Sequence, residues 1–374
     1  MSDSSQDQQA FRDVVRRFAK ERSSMSRVRS VMEDSAGYDP AVWQGLTQEL
    51  GVHALAIPEE YGGLGLGVAD LAIALEELGY ALTPSPFYSS ACATAALVLA
   101  GSDSQRKTLL PRVADGELSG TVAVAEPRRG WGEDSVRATY TGEEPTVTLN
   151  GVKSYVVDGM TANFFVVAAR KEGTVGVDGI RLFLVQADAP GLTRQALRTM
   201  DMTRLQAEIN LEDTPGEALG TGEAADQFAV VAAHCALYLC ADMVGGARRC
   251  LEMAVNYAKI RVQFGRVIGS FQAIKHKAAD MLVATESAKA AVQLAADAAD
   301  SGDEQFLLLA HVAKATCSDA YFRTAAENIQ IHGGIGFTWE HDAHLFFKRA
   351  KSSEVMWGNG DFHREALARR LSIV

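Results

Sequence analysis

With 374 residues, 47% of them apolar and 22% charged, the chain is long enough for two or three structural units with a substantial core, and its composition is neither disordered nor fibrous. Lys+Arg 36 against Asp+Glu 47 leaves a net charge of −11, which argues against a nucleic-acid binder but not against an anionic ligand held by a few local Arg or Lys residues. The five cysteines, Cys92, Cys235, Cys240, Cys250 and Cys317, are scattered, odd in number and not spaced as metal pairs, a pattern that predicts buried thiols in a reducing cytosol.

The N-terminus, Met1-Ser-Asp-Ser-Ser-Gln-Asp-Gln-Gln9, has no apolar core of a secretory signal, so a soluble, cytoplasmic protein is expected. Residues 1–120 read as a helical domain. Leu71, Leu75 and Leu78 share one helical face, with Glu76 and Glu77 expected on the solvent side. Pro58-Glu-Glu-Tyr-Gly-Gly-Leu-Gly-Leu-Gly67 is a glycine-marked loop, too loose for a dinucleotide fingerprint. From Thr121 the texture turns to short β-branched or aromatic runs: Thr121–Ala125, Thr146–Leu149, Ser154–Val157, Phe164–Ala169 and Arg181–Val185. Asn150-Gly151 and Asp158-Gly159 read as turns between them, giving an antiparallel β domain over 121–222. After a linker at Gly220-Thr-Gly-Glu223, residues 223–374 return to long, Ala-rich helices, a predicted helical bundle. The most apolar stretch, Phe228–Cys240, is too short to span a bilayer and predicts a buried helix. Helices, strands, then helices, without βαβ alternation, make an α+β chain and not a Rossmann fold.

Two segments carry chemistry. Arg261-Val-Gln-Phe-Gly265 follows a helical run that ends at Ile260, and Arg261 offers a donor fork suited to phosphate oxygens. By itself that arginine fits a helix C-terminal charge as well. Gln330-Ile-His-Gly-Gly-Ile-Gly-Phe337 packs three glycines into four positions, which lets backbone approach a ligand closely or simply breaks a helix. His341 and His344, with Glu340 and Asp342, have helical spacing but no second ligand pair, so no metal site is expected. His332 is best explained as a packed, hydrogen-bonded imidazole. There is no nucleophile elbow and no Walker loop.

Taken with their continuations, Arg266-Val-Ile-Gly-Ser-Phe-Gln272-Ala-Ile-Lys-His276 and Thr338-Trp-Glu-His-Asp-Ala-His-Leu-Phe-Phe-Lys-Arg-Ala350, these segments resemble the acyl-CoA dehydrogenase flavoproteins over essentially the whole chain. The resemblance implies an N-terminal helical domain, a central antiparallel β domain and a C-terminal four-helix bundle. It implies FAD as cofactor, an acyl-CoA thioester as substrate and an electron-transfer flavoprotein or similar acceptor, with neither nucleic acid nor membrane involved. The family's reaction combines α-proton abstraction by a carboxylate with hydride transfer from Cβ to the flavin. Arg261, Phe264, Gln272, Gln330, Gly333 and Gly334 match positions that hold the adenine and pyrophosphate half of FAD, usually that of an adjacent subunit.

Other matches fail. Where the family carries Thr-Glu-Pro and a downstream Gly-Ser-Asp, the chain has Ala125-Glu126-Pro127 and Arg128-Arg-Gly-Trp-Gly-Glu-Asp134. Lys-x-Trp-Ile-Thr becomes Lys153-Ser-Tyr155-Val-Val157, which loses a hydroxyl donor and shrinks a stacking wall. The catalytic glutamate's place is taken by Trp357, and an indole accepts no proton at neutral pH. The alternative place for the base falls at or near His234 and Cys235, within a stretch free of carboxylates. Glu354 and Asp361 lie a helical turn away on either side, about 5 Å along an axis, too far for direct proton transfer.

The expectation is therefore a partner subunit of a hetero-oligomeric acyl-CoA dehydrogenase, completing in trans a flavin site whose glutamate sits on a related chain. Such pairs often act on bulky acyl chains, including steroid side chains. Alternatives are a homo-oligomer that uses Glu354 or Asp361 as base, a structural or regulatory relative without flavin, and a flavin monooxygenase, which needs no α-proton base.

Overall fold

Helices form where apolar residues recur with helical period, and strands where β-branched runs interrupt them. A computed structural model describes residues 3–34, 36–143, 145–220 and 224–373. In chain order the first helices are α1 (Asp3–Arg22), α2 (Met25–Val31), α3 (Pro40–Gln44), α4 (Val68–Tyr80), α5 (Phe87–Ala100) and α6 (Asp103–Ala114). The start of α6 is fixed by a reciprocal capping box between Ser102 and Gln105. Seven strands follow: β1 (Gly120–Ala123), β2 (Thr139–Thr141), β3 (Thr146–Val157), β4 (Phe164–Lys171), β5 (Ile180–Gln186), β6 (Leu192–Ala196) and β7 (Gln206–Ala218). The C-terminal half holds α7 (Ala224–Ile260), the hairpin strands β8 (Val262–Gln263) and β9 (Arg266–Val267), then α8 (Gln272–Ser301), α9 (Phe306–His332), α10 (Ala343–Val355) and α11 (Gly360–Arg370). Residues 221–223 of the expected linker lie outside the described residues.

Cα packing divides the chain into two units. One comprises Val31–Gly67 and Pro84–Tyr238 and contains the sheet. Its pairings run β4–β5–β7–β3–β2 and back to β4, so the sheet closes on itself, with β1 added on β4 and β6 on β7. Closure leaves little free edge and encloses a core of Leu149, Phe165, Val167, Phe183, Val185 and Ile209. Pairing is mostly antiparallel; β1–β4 and β2–β4 are parallel. Asn150-Gly151, expected as a turn, instead lies inside the single strand β3 at a register shift against β7. The backbone there passes so close to Ala138 that a Cβ on Gly151 would lie 2.7 Å from it, so the glycine serves close approach and not chain reversal.

The other unit comprises Met1–Ser30, Val68–Thr83 and Leu239–Val374. Helices α8, α10 and α11 pack on α9, and α4 packs on α1 and α8. The α4 N-terminus is capped from α8, where the Asp300 carboxylate accepts from the amides of Val68 and Ala69. Glu76 and Glu77 are not on a solvent face: both are buried, as are Leu71, Leu75 and Leu78. Helix α4 is enclosed on all sides, and its carboxylates are matched by arginines from two other helices. Arg12 reaches Glu76 and Glu77 at 2.7 and 2.8 Å, and Arg248 reaches the same pair at 2.8 and 2.7 Å. Burial alone would raise the Glu77 carboxyl, but Arg248, Arg16 and Arg12 hold it at about 2. The most apolar window of α7, long enough to cross a membrane, is 78% buried in the protein. All five cysteines are buried free thiols.

Candidate functional site

The first signature begins where α7 ends. Arg261 donates its amide to the Tyr257 carbonyl, then the chain reverses in a two-residue turn at Phe264-Gly265, with φ of 52° and 78°. Two positive φ values in succession give the primed turn that suits a tight hairpin, and glycine takes the second without strain. Phe264 takes the first, at some cost, and presents its ring to solvent at 91% exposure. The hairpin is braced by aromatic contacts to the residue that follows it: Phe264 meets Phe271 edge-on at 6.1 Å, and the Arg266 guanidinium lies 4.2 Å from the Phe271 ring centroid.

The second signature ends α9. Gln330 lies on its last turn, and Gly333 closes it with φ of 65° before a 3₁₀ turn over Gly333–Phe337. The glycines thus break the helix and bare the backbone: a Cβ on Gly333 or Gly334 would meet nothing within 4 Å. The two signatures are brought together by a small apolar cluster, Ala254, Met281 and Ile331 with Tyr257, Ile268 and Ile274 against it. Tyr257 also stacks on His332 at 4.3 Å. His332 is buried, contacts the Asn328 carbonyl through Nδ1 at 2.8 Å, and has its pKa lowered chiefly by that burial, as befits a packed imidazole. Around this cluster Arg261, Phe264, Gln272, Gln330, Gly333 and Gly334 are all exposed. So are Val262, Ile335, Phe337 and Trp339, an apolar rim that this chain by itself leaves uncovered. Asp342 is held by Arg29 at 2.8 Å, and His344 packs edge-on against Trp339 at 4.7 Å.

The turn carrying Trp357 has the opposite character. Trp357 and Gly358, between α10 and α11, adopt φ of 60° and 96°, and the tryptophan is buried. A left-handed tryptophan costs about 1–2 kcal/mol and needs its surroundings to hold it. Three side chains, none singled out in the sequence, supply that hold. The fully buried Lys314 ammonium donates to the carbonyls of Glu354 (3.0 Å) and Gly358 (2.8 Å) and to the Ser318 hydroxyl (3.0 Å). His363 donates from Nε2 to the Trp357 carbonyl at 2.9 Å. Its Nδ1 lies 2.8 Å from Nδ1 of His311, so one proton is shared between two neutral rings. Burial depresses all three, Lys314 to about 8, His311 to about 4 and His363 to about 3. The one sequence signal was Lys314 itself, a lone cation in an Ala-rich stripe with Ala310, Ala313 and Cys317. The flanking carboxylates are engaged in ion pairs, Glu354 with Lys351 and Asp361 with Arg364, each at 2.9 Å.

In the sheet-containing unit, Glu126 of Ala-Glu-Pro is buried. It accepts from the Arg137 and Ala138 amides, each at 2.8 Å, and from Lys153 at 2.7 Å. Lys153, wholly buried, also donates to the Val124 carbonyl, and burial lowers its pKa. This pair locks β3 just before a register shift where Tyr155 takes φ of 58° and stands 46% exposed. The following Val157 ends β3 and brings no hydroxyl. Along α7, His234 contacts the Val230 carbonyl through Nδ1 at 2.9 Å, and Cys235 is a buried thiol whose pKa is raised first by desolvation. Neither supplies a carboxylate.

Comparison with known proteins accounts for the whole chain. Residues 5–117, 121–214 and 231–372 match the N-terminal, middle and C-terminal domains of acyl-CoA dehydrogenase. The chain is 37% identical over 354 residues to the acyl-CoA dehydrogenase IpdE2 of Mycolicibacterium smegmatis, covering 95% of each protein. Among solved structures it is similar to a variant of the Tcur3481-Tcur3483 steroid ACAD, with a TM-score of 0.91, 28% identity and 99% and 98% of the two chains covered. It is also similar to the ChsE4-ChsE5 complex from Mycobacterium tuberculosis, with a TM-score of 0.89, 25% identity and 100% and 98% covered. Three consecutive domain matches, the shared fold and two adjoining signatures around one apolar cluster lead to a single assignment: the chain belongs to the acyl-CoA dehydrogenase family of flavin-dependent oxidoreductases.

Proposed function

We propose that this chain is the partner subunit of a hetero-oligomeric, cytoplasmic acyl-CoA dehydrogenase, and that it lends one half of a flavin site to a related chain that carries the catalytic glutamate. The observation that carries this reading is the split between its two functional regions. The signature residues stand exposed around an uncovered apolar rim, while the base position is a buried tryptophan.

The residues fit the adenine and pyrophosphate half of FAD. Arg261 would present its fork to the phosphates, Phe264 its ring to the adenine, and Gln272 and Gln330 their amides. Gly333 and Gly334 have the open backbone that close approach requires. They fit the isoalloxazine half poorly, because Val157 has no donor and Tyr155 offers a smaller wall than tryptophan. The flavin, when bound, supplies the hydride acceptor for α,β-desaturation of an acyl-CoA thioester. This chain's part is to anchor and orient. Trp357 accepts no proton, so the α-proton must go to a carboxylate on the related chain. Glu354 and Asp361 are poor substitutes, both being tied to cations. Likeness to the ChsE4-ChsE5 complex supports a two-chain assembly, and likeness to the Tcur3481-Tcur3483 steroid ACAD supports a bulky acyl chain. An electron-transfer flavoprotein or similar acceptor would reoxidise the flavin.

The test is to purify the chain alone and together with a related chain bearing the glutamate, then record flavin absorbance, stoichiometry and dehydrogenation. Flavin and activity are expected only in the mixed assembly. A yellow, active homo-oligomer of this chain overturns the proposal.

A further inference from the structure

Helix α8 is apolar on two opposite sides, and the described residues cover one of them. Met281, Thr285, Ala288, Val292 and Ala295 are buried in the helical unit. On the other side, 3.6 residues per turn bring Ala279, Val283, Ser287, Ala290 and Leu294 into one exposed stripe about 22 Å long. Val283 is 66% exposed and Leu294 59%. Single exposed apolar residues are ordinary on a protein surface. A continuous second stripe is different, because a helix that faces water is polar on that face. The stripe adjoins a groove of about 390 Å³ over α9, lined by Ala284 and Ser287 of α8, Val312, Ala315 and Ala320 of α9, and Leu367 of α11. Charged residues at the groove are already paired inside the chain, Arg364 with Asp319 at 2.9 Å and Arg323 with Asp280 at 3.2 Å. The groove therefore offers apolar surface and selects no charge.

The charges beside the stripe show which surface fits it. Glu286 and Lys289 are exposed on the flank away from the groove, and neither is paired among the described residues. Their midpoint, between Ser287 and Ala288, is close to the midpoint of the stripe. A two-fold axis through that point sets a second copy of α8 antiparallel to the first and keeps like flank beside like flank. Each Glu286 then stands level with the Lys289 of the other copy, so one favourable charge pair is made twice. The same operation brings Val283 within about 3 Å, along the helix, of the level of the other copy's Leu294. Ser287 and Ala290 lie at the centre, small enough for two helices to approach closely. A parallel pairing would send these flanks to opposite sides, where the charges could not meet. The stripe alone, one helix wide, falls short of the ~800 Å² per partner of a standard interface, so the groove and its α11 wall share the contact.

We propose that the α8 stripe and the adjoining groove form a two-fold interface with a second copy of this chain, so that the full assembly holds the chain in pairs. Val283 lies about 16 Å along the helix from Gln272, which leaves the signature face open to its own partner. The test is sedimentation velocity of the intact chain, alone and with the related glutamate-bearing chain, over about 1–100 µM. Dimers of the chain alone that dissociate on dilution, and two copies of it in the mixed assembly, are expected. Lys289→Glu and Glu286→Lys each set like charges together twice and should weaken self-association about fivefold or more, while E286K/K289E should restore it to within about twofold. Val283→Asp should leave one copy per mixed assembly with the flavin content unchanged. Circular dichroism checks folding, and if Val283→Asp does not fold, the charge exchange carries the test. A chain that stays monomeric alone and single in the mixed assembly overturns the proposal. So does self-association that the folded single variants leave unchanged, or that the double variant fails to restore. If no mixed assembly forms, the flavin proposal fails and the chain alone still decides this one.

Discussion

The hairpin after α7 and the turn between α10 and α11 are both short, both hold an aromatic residue at positive φ, and are otherwise opposites. Phe264 projects into solvent, held only by its neighbours in sequence, and the glycines and amides near it have room for something the chain does not provide. Trp357 is enclosed, and the carbonyls around it are met by Lys314 from α9 and by His363 from α11, the helix the turn leads into. A region meant to complete itself satisfies its own polar groups; a region meant to meet a partner leaves rigid apolar and donor groups on display. The contrast is what the proposed reading, a subunit that lends residues to a partner's site, requires of the two turns.

Three experiments bear on that contrast. Lys314→Met should have the largest effect on stability. It strands the Glu354 and Gly358 carbonyls in a buried setting, and the loss, read by urea unfolding, should be about 3 kcal/mol. A loss below about 1 kcal/mol would mean that the ammonium does not hold the turn.

Acid should loosen the turn next. The unfolded chain begins to protonate its histidines near pH 6.5, whereas His311 and His363 resist down to about 4 and about 3. The unfolded state therefore binds more protons throughout that window. Their contribution to stability is constant above it, then falls by about 1.4 kcal/mol per pH unit for each ring as pH drops from 6.5 toward 4, with His363 continuing toward 3. His363→Gln keeps a donor for the Trp357 carbonyl and removes one titrating ring, so its stability-versus-pH slope should be shallower. An unchanged slope would dismiss the histidine pair as the cause.

Phe264→Ser should change stability least, by about 0.5 kcal/mol or less, because the ring is almost wholly exposed and a left-handed serine is no worse off than a left-handed phenylalanine. Its effect belongs to assembly: flavin content of the mixed complex should fall several-fold while unfolding of the chain alone is unaltered. If flavin content holds and the isolated chain unfolds more readily, the hairpin is a structural element and the contrast fails.

Much of this could be read in advance, and the omissions have causes. The glycine turn that ends α9 is a local object, set by a short run of residues, and its sequence gave it away; the β8–β9 hairpin was not expected, because a two-residue strand on either side of Phe264-Gly265 leaves no alternating pattern to read. The Asn150-Gly151 pair misled because a glycine that permits close approach to Ala138 looks the same in sequence as one that turns the chain. Glu76 and Glu77 misled for a related reason. Helical period assigns a face, but only the packing of α4 among arginines from α1 and α7 makes a buried carboxylate affordable.

The sequence by itself determined the order of helices and strands, the family, and the absence of a carboxylate at position 357, because each of these is written in residue type and near-neighbour spacing. Tertiary structure alone decided which charges are buried and what meets them: Lys314 and His363 under the Trp357 turn, Lys153 on Glu126, Arg12 and Arg248 on Glu76 and Glu77. Apart from His363, six residues beyond Trp357, those partners lie tens to hundreds of residues from the groups they meet, and the energy of a charge depends on the solvent it has lost and the groups that replace it, neither of which a one-dimensional pattern records.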